Sequence, residues 1–358
     1  MNTRVGIVAN VSVLLTFALA AALSVFDEPL YYLSVQEDQV LEWATFWGFL
    51  IAAYVFSVNT VGLFRLDRRL PWFMAGLALF CFAVAMEEIS WGQRLLGYKA
   101  PTFFLEQNYQ QEFNIHNVVE TLARKRIMQV VLLGWGVILS IGNLWAPVAS
   151  VLSRFRVVVP PAILSVSFFA ILVVFTWYPL YHTGEWVELT MAYVFIFVAL
   201  SCRVSADGKK SGAGIGTVLI ALPSMWILAA MTYSSVCHMR HVDPERVATA
   251  RIELDALAQD FSGKQRQTSC GVHTRLYAFA REDEHAYLFT GAFSRHVKGN
   301  GESARAAYLL DPWNSSYWIR HQCAEGREVR FIYSFGPNQR RESTEWQAGG
   351  DDVAIIVD

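Results

Sequence analysis

WFMAGLALFCFAVAMEEISWGQR, residues 72–94, decides how this chain is read. An uncharged apolar run from Trp72 to Met86 ends in two adjacent carboxylates, Glu87 and Glu88, and a polar stretch closes with Arg94. A helix needs about 20 apolar residues to cross a hydrocarbon layer of ~30 Å. The run at 71–88 is short for that task and is the weakest of seven such runs. Counting it or omitting it decides on which side of a membrane everything after it lies.

The other runs lie at 5–26, 43–64, 127–149, 157–181, 186–203 and 214–234, and the first of them reads as a retained helix. Pro160, Pro161 and Pro179 interrupt the 157–181 run, which neighbouring helices can tolerate by satisfying the freed carbonyls. Composition agrees with membrane residence: 54% of the residues are hydrophobic and 17% charged, against about 25% charged in soluble domains. The expected fold is an all-α polytopic bundle of about seven transmembrane helices over 1–235. A small α+β or mainly-β extramembrane domain follows over 236–358.

Charge and cysteines exclude two broad classes. A formal net charge of −2 gives no field to gather a polyanion, so nucleic-acid binding is not expected. The five cysteines form no CxxC pair, which excludes a zinc ribbon or a thioredoxin-type motif.

Basic residues next to spans resist translocation and so report orientation. Arg4, Arg65, Arg68, Arg69, Arg154, Arg156, Arg203, Lys209 and Lys210 fall in one set of loops. The opposite set carries Arg94, Lys99, Arg124, Lys125 and Arg126, all in 89–126. The N-terminus is therefore expected in the cytoplasm, and with seven spans the C-terminal domain is expected outside, at a bacterial inner membrane.

In that domain Asp243-Pro244-Glu245 reads as a helix start, with an N-cap carboxylate and proline at the first helical position. An amphipathic helix to about Phe261 is expected. The runs 276–280, 286–293, 304–310, 316–322, 329–335 and 353–357 read as short strands of an antiparallel sheet. In an exported domain Cys270 and Cys323 could form a disulfide; two buried thiols are the alternative.

The polar residues concentrate in segments expected on the outer side: Asp27, Glu28, Glu37, Asp38 and Glu42; Glu87, Glu88, Gln93 and Arg94; Glu112, Asn114, His116 and Asn117; His182, Glu185 and Glu188. Ionisable groups at membrane depth cost several kcal/mol and normally face a bundle interior or a wet cavity. Glu112 and His116 stand four apart, on one face if the stretch is helical, and His182 and Glu185 stand three apart. Such a nitrogen and oxygen set suits zinc, iron or manganese. The expected roles are metal ligation by Glu112, His116 and His182, acid–base chemistry by Glu87, Glu88 or Glu185, and head-group orientation by Gln93, Arg94 and Asn117. Each residue also has a plainer reading. Glu87 or Glu88 could pair with Arg94, His116 could be a hydrogen-bonded core histidine, and His182 could belong to an aromatic interface belt with Trp177, Tyr178, Tyr181 and Trp186.

EDQVLEW before the second run, EEISWGQR at the end of the third and NYQQEFNIHN before the fourth resemble a family of bacterial multi-pass membrane proteins. The likeness covers roughly residues 30–125, leaves the C-terminal domain outside, and implies a shared site without naming its chemistry. Intramembrane proteases of the CAAX-processing type carry EExxxR, FxxxH and HxxxN. Here Gly92 stands where that arginine should fall, and Phe113 and His116 give FxxH, so this likeness is one of analogy. Seven-span alkaline ceramidases need a paired HxxxH that the chain lacks. VFDE at 25–28 is faintly similar to the acidic pair of lipid-linked glycosyltransferases.

The leading expectation is a metal-dependent membrane hydrolase or transferase acting on a lipid or lipid-linked substrate. The competing one is a non-catalytic subunit or scaffold whose exported domain binds a partner protein. A transporter is less favoured, because the charges gather at one rim and do not continue through the bundle.

Overall fold

The computed structural model describes residues 3–36, 39–108, 110–202, 214–240, 243–262, 271–324, 327–343 and 346–357. Glu37, Asp38, Arg203, Lys209, Lys210 and Cys270 lie outside the described residues. In chain order the first helices are α1 (Thr3–Phe26), α2 (Glu28–Ser34), α3 (Val40–Asp67), α4 (Trp72–Glu88), α5 (Gln93–Leu96) and α6 (Thr102–Gln107). Next, α7 (Thr121–Val130) runs through a π-helical stretch, Val131–Leu139, into α8 (Ser140–Gly142). Then come α9 (Ala146–Arg154), α10 (Ser165–Trp177), α11 (Thr183–Ser201) and α12 (Ile215–Arg240).

Among the described residues five helical stretches are long and apolar enough to cross a membrane: Thr3–Phe26, Val40–Asp67, Thr121–Gly142, Thr183–Ser201 and Ile215–His238. The remaining two apolar runs form shorter helices, α4 with 17 residues and the stretch Ala162–Trp177 that contains α10.

The chain divides into two compact units. The first comprises Met1–Trp91 and Asn114–Tyr233, the second Gly92–Phe113 and Ser234–Asp358. One of the boundaries falls between Tyr233 and Ser234. The finding that the sequence does not announce is that residues 92–113 belong with the C-terminal part.

In the first unit α11 is the central helix, with every residue from Leu189 to Leu200 buried. Its neighbours each bury one stripe and turn large apolar side chains outward, as a bundle in lipid does. Along α1, Val5, Ala9, Val13 and Ala20 are buried while Ile7 and Leu15 are exposed. A Cβ at Gly48 of α3 would lie 2.8 Å from Ala192 Cβ, so glycine lets α3 approach α11 closely. Asn59 Nδ2 donates to the Ala199 carbonyl at 3.0 Å, tying the same two helices further along.

The second unit begins its C-terminal part with α13 (Pro244–Phe261), whose N-cap Asp243 accepts from the Arg246 amide as the sequence predicts. After β1 (Val272–Arg275) come α14 (Leu276–Ala280), α15 (Ala292–Gly299) and α16 (Ser303–Tyr308), then β2 (Trp318–Ala324), β3 (Arg327–Ser334) and β4 (Val353–Val357). The four strands form one antiparallel meander in the order β1-β2-β3-β4. The expected strands at 316–322, 329–335 and 353–357 are present. Those at 276–280 and 304–310 are helices, and 286–293 holds the end of a 3₁₀ turn and the start of α15. Leu276, Phe279 and Ala280 are buried at i, i+3 and i+4, a helical stripe too short to be told from a strand by periodicity.

One sheet face packs on α13, α14 and α15 around Leu254, Leu257, Phe279, Phe293, Ile319 and Ile332. Cys323 is disulfide-bonded, and its expected partner, Cys270, lies outside the described residues. Residues 92–113 join this unit through Ala100, Leu105 and Leu310, which form a small core with Phe104, Phe113 and Tyr308. Asn314 Nδ2 donates to the Gly97 carbonyl at 2.8 Å, Tyr308 Oη donates to Glu106 Oε1 at 2.9 Å, and the Ser316 hydroxyl donates to the Gln111 side chain.

Candidate functional site

Five acidic residues of the first unit lie at three helix ends. Glu42 lies in the first turn of α3, Glu87 and Glu88 in the last turn of α4, and Glu185 in the first turn of α11 with Glu188 one turn on. A carboxylate is favoured at a helix N-terminus and disfavoured at a C-terminus by ~0.3–1 kcal/mol. Glu42 and Glu185 therefore sit where a helix accepts them, and Glu88 sits where it does not.

The two neighbours Glu87 and Glu88 have different surroundings. Glu87 is satisfied on all sides: Trp91 Nε1 donates to its Oε1 at 2.7 Å, and the Ile115 and His116 amides donate to Oε2 at 2.5 and 3.0 Å. His116 Nδ1 lies 3.4 Å from the same oxygen. These bonds hold a costly turn. Ser90, Trp91 and Gly92 all have positive φ, 46°, 55° and 79°, a region that two of the three residue types rarely enter. Ser90 is buried and accepts from Asn114 Nδ2 at 3.2 Å, so residues 114–116 pin the turn from the other side.

Glu88 is half-buried, and the charges that act on it most strongly are four other carboxylates, those of Glu188, Glu185, Glu42 and Glu87. Glu188, also half-buried, lies in the field of His116 and Arg124. Arg124 in turn donates from Nη1 to the His116 carbonyl at 3.1 Å and to Asn117 Oδ1 at 3.2 Å. The result is a cluster of carboxylates from α3, α4 and α11 whose charges act on one another, with an imidazole and a guanidinium acting on Glu188. Its charge balance calls for a cation or for protons.

Among the residues expected from the sequence, the structure thus gathers Glu87, Glu88, Glu185, His116 and Asn117. His182 takes a left-handed conformation before α11, is exposed, and stacks edgewise on Tyr181 at 4.0 Å. Glu112 and Gln93 belong to the second unit, where Gln93 Oε1 accepts from the Phe113 amide at 2.6 Å and Asn108 Nδ2 donates to the Glu112 carbonyl at 2.6 Å. The stretch from Glu112 to His116 is not helical, because Gln111 turns the chain with φ 56°, so the shared helical face on which their pairing was premised does not form. The Arg94 side chain lies outside the described residues.

Glu42 and Glu188, expected on the outer side without an assigned role, and Arg124, read only as a loop charge, complete the cluster. Glu185 and Glu188, three apart on one apolar helix, carried the signal for the second. Among the described residues three ligand atoms come within 4.8 Å of one another at Glu342, Asp351 and Asp352 of the second unit. The clustered carboxylates of the first unit do not meet that spacing.

Compared with known proteins, the chain matches no family model, no curated protein and no solved structure.

Proposed function

We propose that this chain is an integral membrane enzyme, a hydrolase or transferase, whose carboxylate cluster works on the polar part of a lipid or lipid-linked substrate. The observation that carries the reading is Glu88, held at an unfavourable helix end among carboxylates of three helices. Groups placed against their own stability are characteristic of working sites. Glu88 is assigned proton transfer, Glu188 and His116 the flanking positions, and Arg124 and Asn117 the orientation of the substrate's polar group. Zinc, iron or manganese bound among these carboxylates would offset their surplus negative charge and polarise a bound oxygen. Glu42, Glu88, Glu185, Glu188 and His116 supply the donors for it.

Elemental analysis of the purified protein, with mass spectrometry of vesicle lipids incubated with it, tests this. Glu88→Gln and His116→Ala should stay folded and lose lipid conversion and any stoichiometric metal. Unchanged conversion and metal content in both would remove the reading.

A second reading, a scaffold whose C-terminal unit binds a partner protein, draws support from the amides of 92–113. Gln93, Asn108 and Gln111 are engaged in hydrogen bonds within the second unit, which suits locking of the fold. A stable stoichiometric co-purifying protein with no lipid conversion would favour it.

We further infer seven crossings, an N-terminus in the cytoplasm and a C-terminal unit outside, at a bacterial inner membrane. Residues 92–113 fold in one unit with the C-terminal part, so an even number of crossings separates them. The three membrane-length stretches between them, Thr121–Gly142, Thr183–Ser201 and Ile215–His238, make an odd number, and α10 supplies the fourth. The disulfide at Cys323 supports an oxidising compartment for this unit. Alkaline phosphatase fused after Val357 should be active, and the same enzyme fused after Asp67 inactive.

A further inference from the structure

At the start of α3, the N-cap residue Gln39 and the first-turn residues Glu42 and Trp43 share one face, at i, i+3 and i+4. The Trp43 amide closes that turn by donating to the Gln39 carbonyl at 3.1 Å. All three residues are buried, with Gln39 3%, Glu42 8% and Trp43 2% exposed. Glu42 is one of the carboxylates whose charges act on Glu88. Its two neighbours carry donors that the fold does not use. Neither Gln39 Nε2 nor Trp43 Nε1 has a hydrogen-bond acceptor among the described residues, and the Gln39 side chain does not cap its own helix. A buried N–H without an acceptor has given up its bond to water and gained nothing in return.

Glu42 and the two donors flanking it make opposite demands on whatever meets them. Ionised carboxylates only accept hydrogen bonds, whereas the Gln39 amide nitrogen and the Trp43 indole nitrogen only donate. A metal ion or an ammonium group offsets the carboxylates but offers no acceptor to an N–H. A phosphate accepts from both N–H groups but brings negative charge to the place where Glu42, Glu88, Glu185 and Glu188 already act on one another. A hydroxyl answers both demands, with one O–H to donate and two lone pairs to accept. Several hydroxyls on one small group answer donors and acceptors that stand a helical turn apart.

We propose that the polar part of the substrate is an uncharged polyhydroxyl group, a sugar or polyol. Its hydroxyl oxygens accept from Gln39 Nε2 and Trp43 Nε1, and its hydroxyl protons are donated to Glu42 and the carboxylates that act with it. The inference rests on the enzymatic reading above and narrows its substrate class to a lipid headed by a sugar or polyol. Gln39 and Trp43 are then binding residues, and removing their donors costs the complex while relieving the free protein.

The full chain reconstituted in phosphatidylcholine vesicles, with a small fraction of monoglucosyl diacylglycerol bearing a photoactivatable diazirine on the sugar, tests this by mapping of cross-linked peptides. Labelling should fall on the first turns of α3 and α11. Unlabelled monoglucosyl diacylglycerol should displace it, and neither phosphatidic acid nor diacylglycerol should do so. Gln39→Leu keeps the side-chain volume and Trp43→Phe keeps an aromatic ring, and both remove the N–H. Each should lower the labelling roughly fivefold, the worth of one hydrogen bond. Without the glucolipid, Gln39→Leu should leave the thermal unfolding midpoint unchanged or raise it. Labelling spread over all helices, equal displacement by phosphatidic acid, or full labelling of both variants would overturn the proposal. So would a lowered midpoint in Gln39→Leu, because the amide would then already be bonded in the free protein. If the sugar labels as expected while Glu88→Gln leaves lipid conversion intact, the sugar site stands and the catalytic assignment fails. If Glu88→Gln stops conversion of a lipid while the sugar labels nothing here, the catalytic assignment stands and the sugar site fails.

Discussion

The two units treat buried charge in opposite ways. In the second, Arg305 is 8% exposed and Glu253 1%, and they meet in a two-oxygen contact at 2.7 and 2.8 Å. Glu302 and the carbonyls of Leu310 and Asp311 take the remaining guanidinium donors, and Tyr317 Oη donates to Glu253 at 2.9 Å. Both ions of this pair are answered by an opposite charge and by hydrogen bonds. In the first unit, Glu88 is answered mainly by more carboxylates. The first pattern buries charge to fix one arrangement of the chain; the second leaves an electrostatic demand that something from outside the chain can meet.

The largest effect expected from this contrast lies in the second unit. Arg305→Met strands Glu253 inside the core and should cost ~3–5 kcal/mol, the penalty of half a buried ion pair. Replacing both residues, Arg305→Met with Glu253→Leu, should recover most of that loss, because no lone charge is left. Denaturant unfolding of the detergent-solubilised protein, followed by tryptophan fluorescence, reads both. If the double variant were as unstable as the single one, the pair would be prized for its hydrogen bonds alone and the comparison would weaken.

A proton provides a gentler probe of the same unit. Asp311 is fully buried, accepts from the Trp313 and Ser315 amides and from the Ser334 hydroxyl, and burial pushes its carboxyl up to about 6. The folded state thus holds this proton more tightly than the unfolded chain, whose ordinary value is 3.8. Folding takes up a proton between those values, so stability is greatest below the unfolded value and falls as pH rises through about 6, by ~3 kcal/mol. Asp352, also pushed up to about 6 by burial, adds with the same sign. His273, pushed down to about 4 by burial and by Arg341 and Arg320, has the opposite sign and gains stability as pH rises from 4 toward 6.5. Asp311→Asn should flatten the falling component while lowering stability at acidic pH, as unfolding midpoints at pH 4.5 and 7 would show. An unchanged pH slope would mean that Asp311 does not carry it.

Much of this was legible in the residues, and for identifiable reasons. Apolar runs cannot hide, since hydrocarbon demands them, and α1, α3, α11 and α12 fall where the runs do. β2, β3 and β4 follow from β-branched and aromatic residues in alternation. LYAFA at 276–280 fits a strand and a helical turn equally well, and only the packing of Leu276, Phe279 and Ala280 on the core selects the helix. At the site, Glu88 and Glu185 stood out because charge beside an apolar run needs a reason. Glu112 and His116 misled because their spacing presumed a helix that Gln111 breaks. That 92–113 would fold with the C-terminal part was not legible, because it depends on Leu310, Asn314 and Ser316, two hundred residues away.

The smallest expected effect is the most diagnostic, because it concerns two adjacent residues of one type. Glu87→Ala removes an acceptor from the Trp91 indole and the Ile115 and His116 amides, and leaves a turn with three left-handed residues without its clamp. Each buried donor left unsatisfied costs ~1–3 kcal/mol, and a loss of about 2 kcal/mol is expected after water reaches the more exposed ones. Glu88→Gln instead removes one negative charge from a group of carboxylates and from the unfavourable end of α4. It should raise stability by about 1 kcal/mol, the trade expected where a site is held against the fold's own preference. Thermal unfolding of the two variants beside wild type, in one detergent and at neutral pH, compares them directly. If Glu88→Gln destabilised the protein as Glu87→Ala does, Glu88 would be an anchor like its neighbour. The first unit would then be treating its charges in the same way as the second.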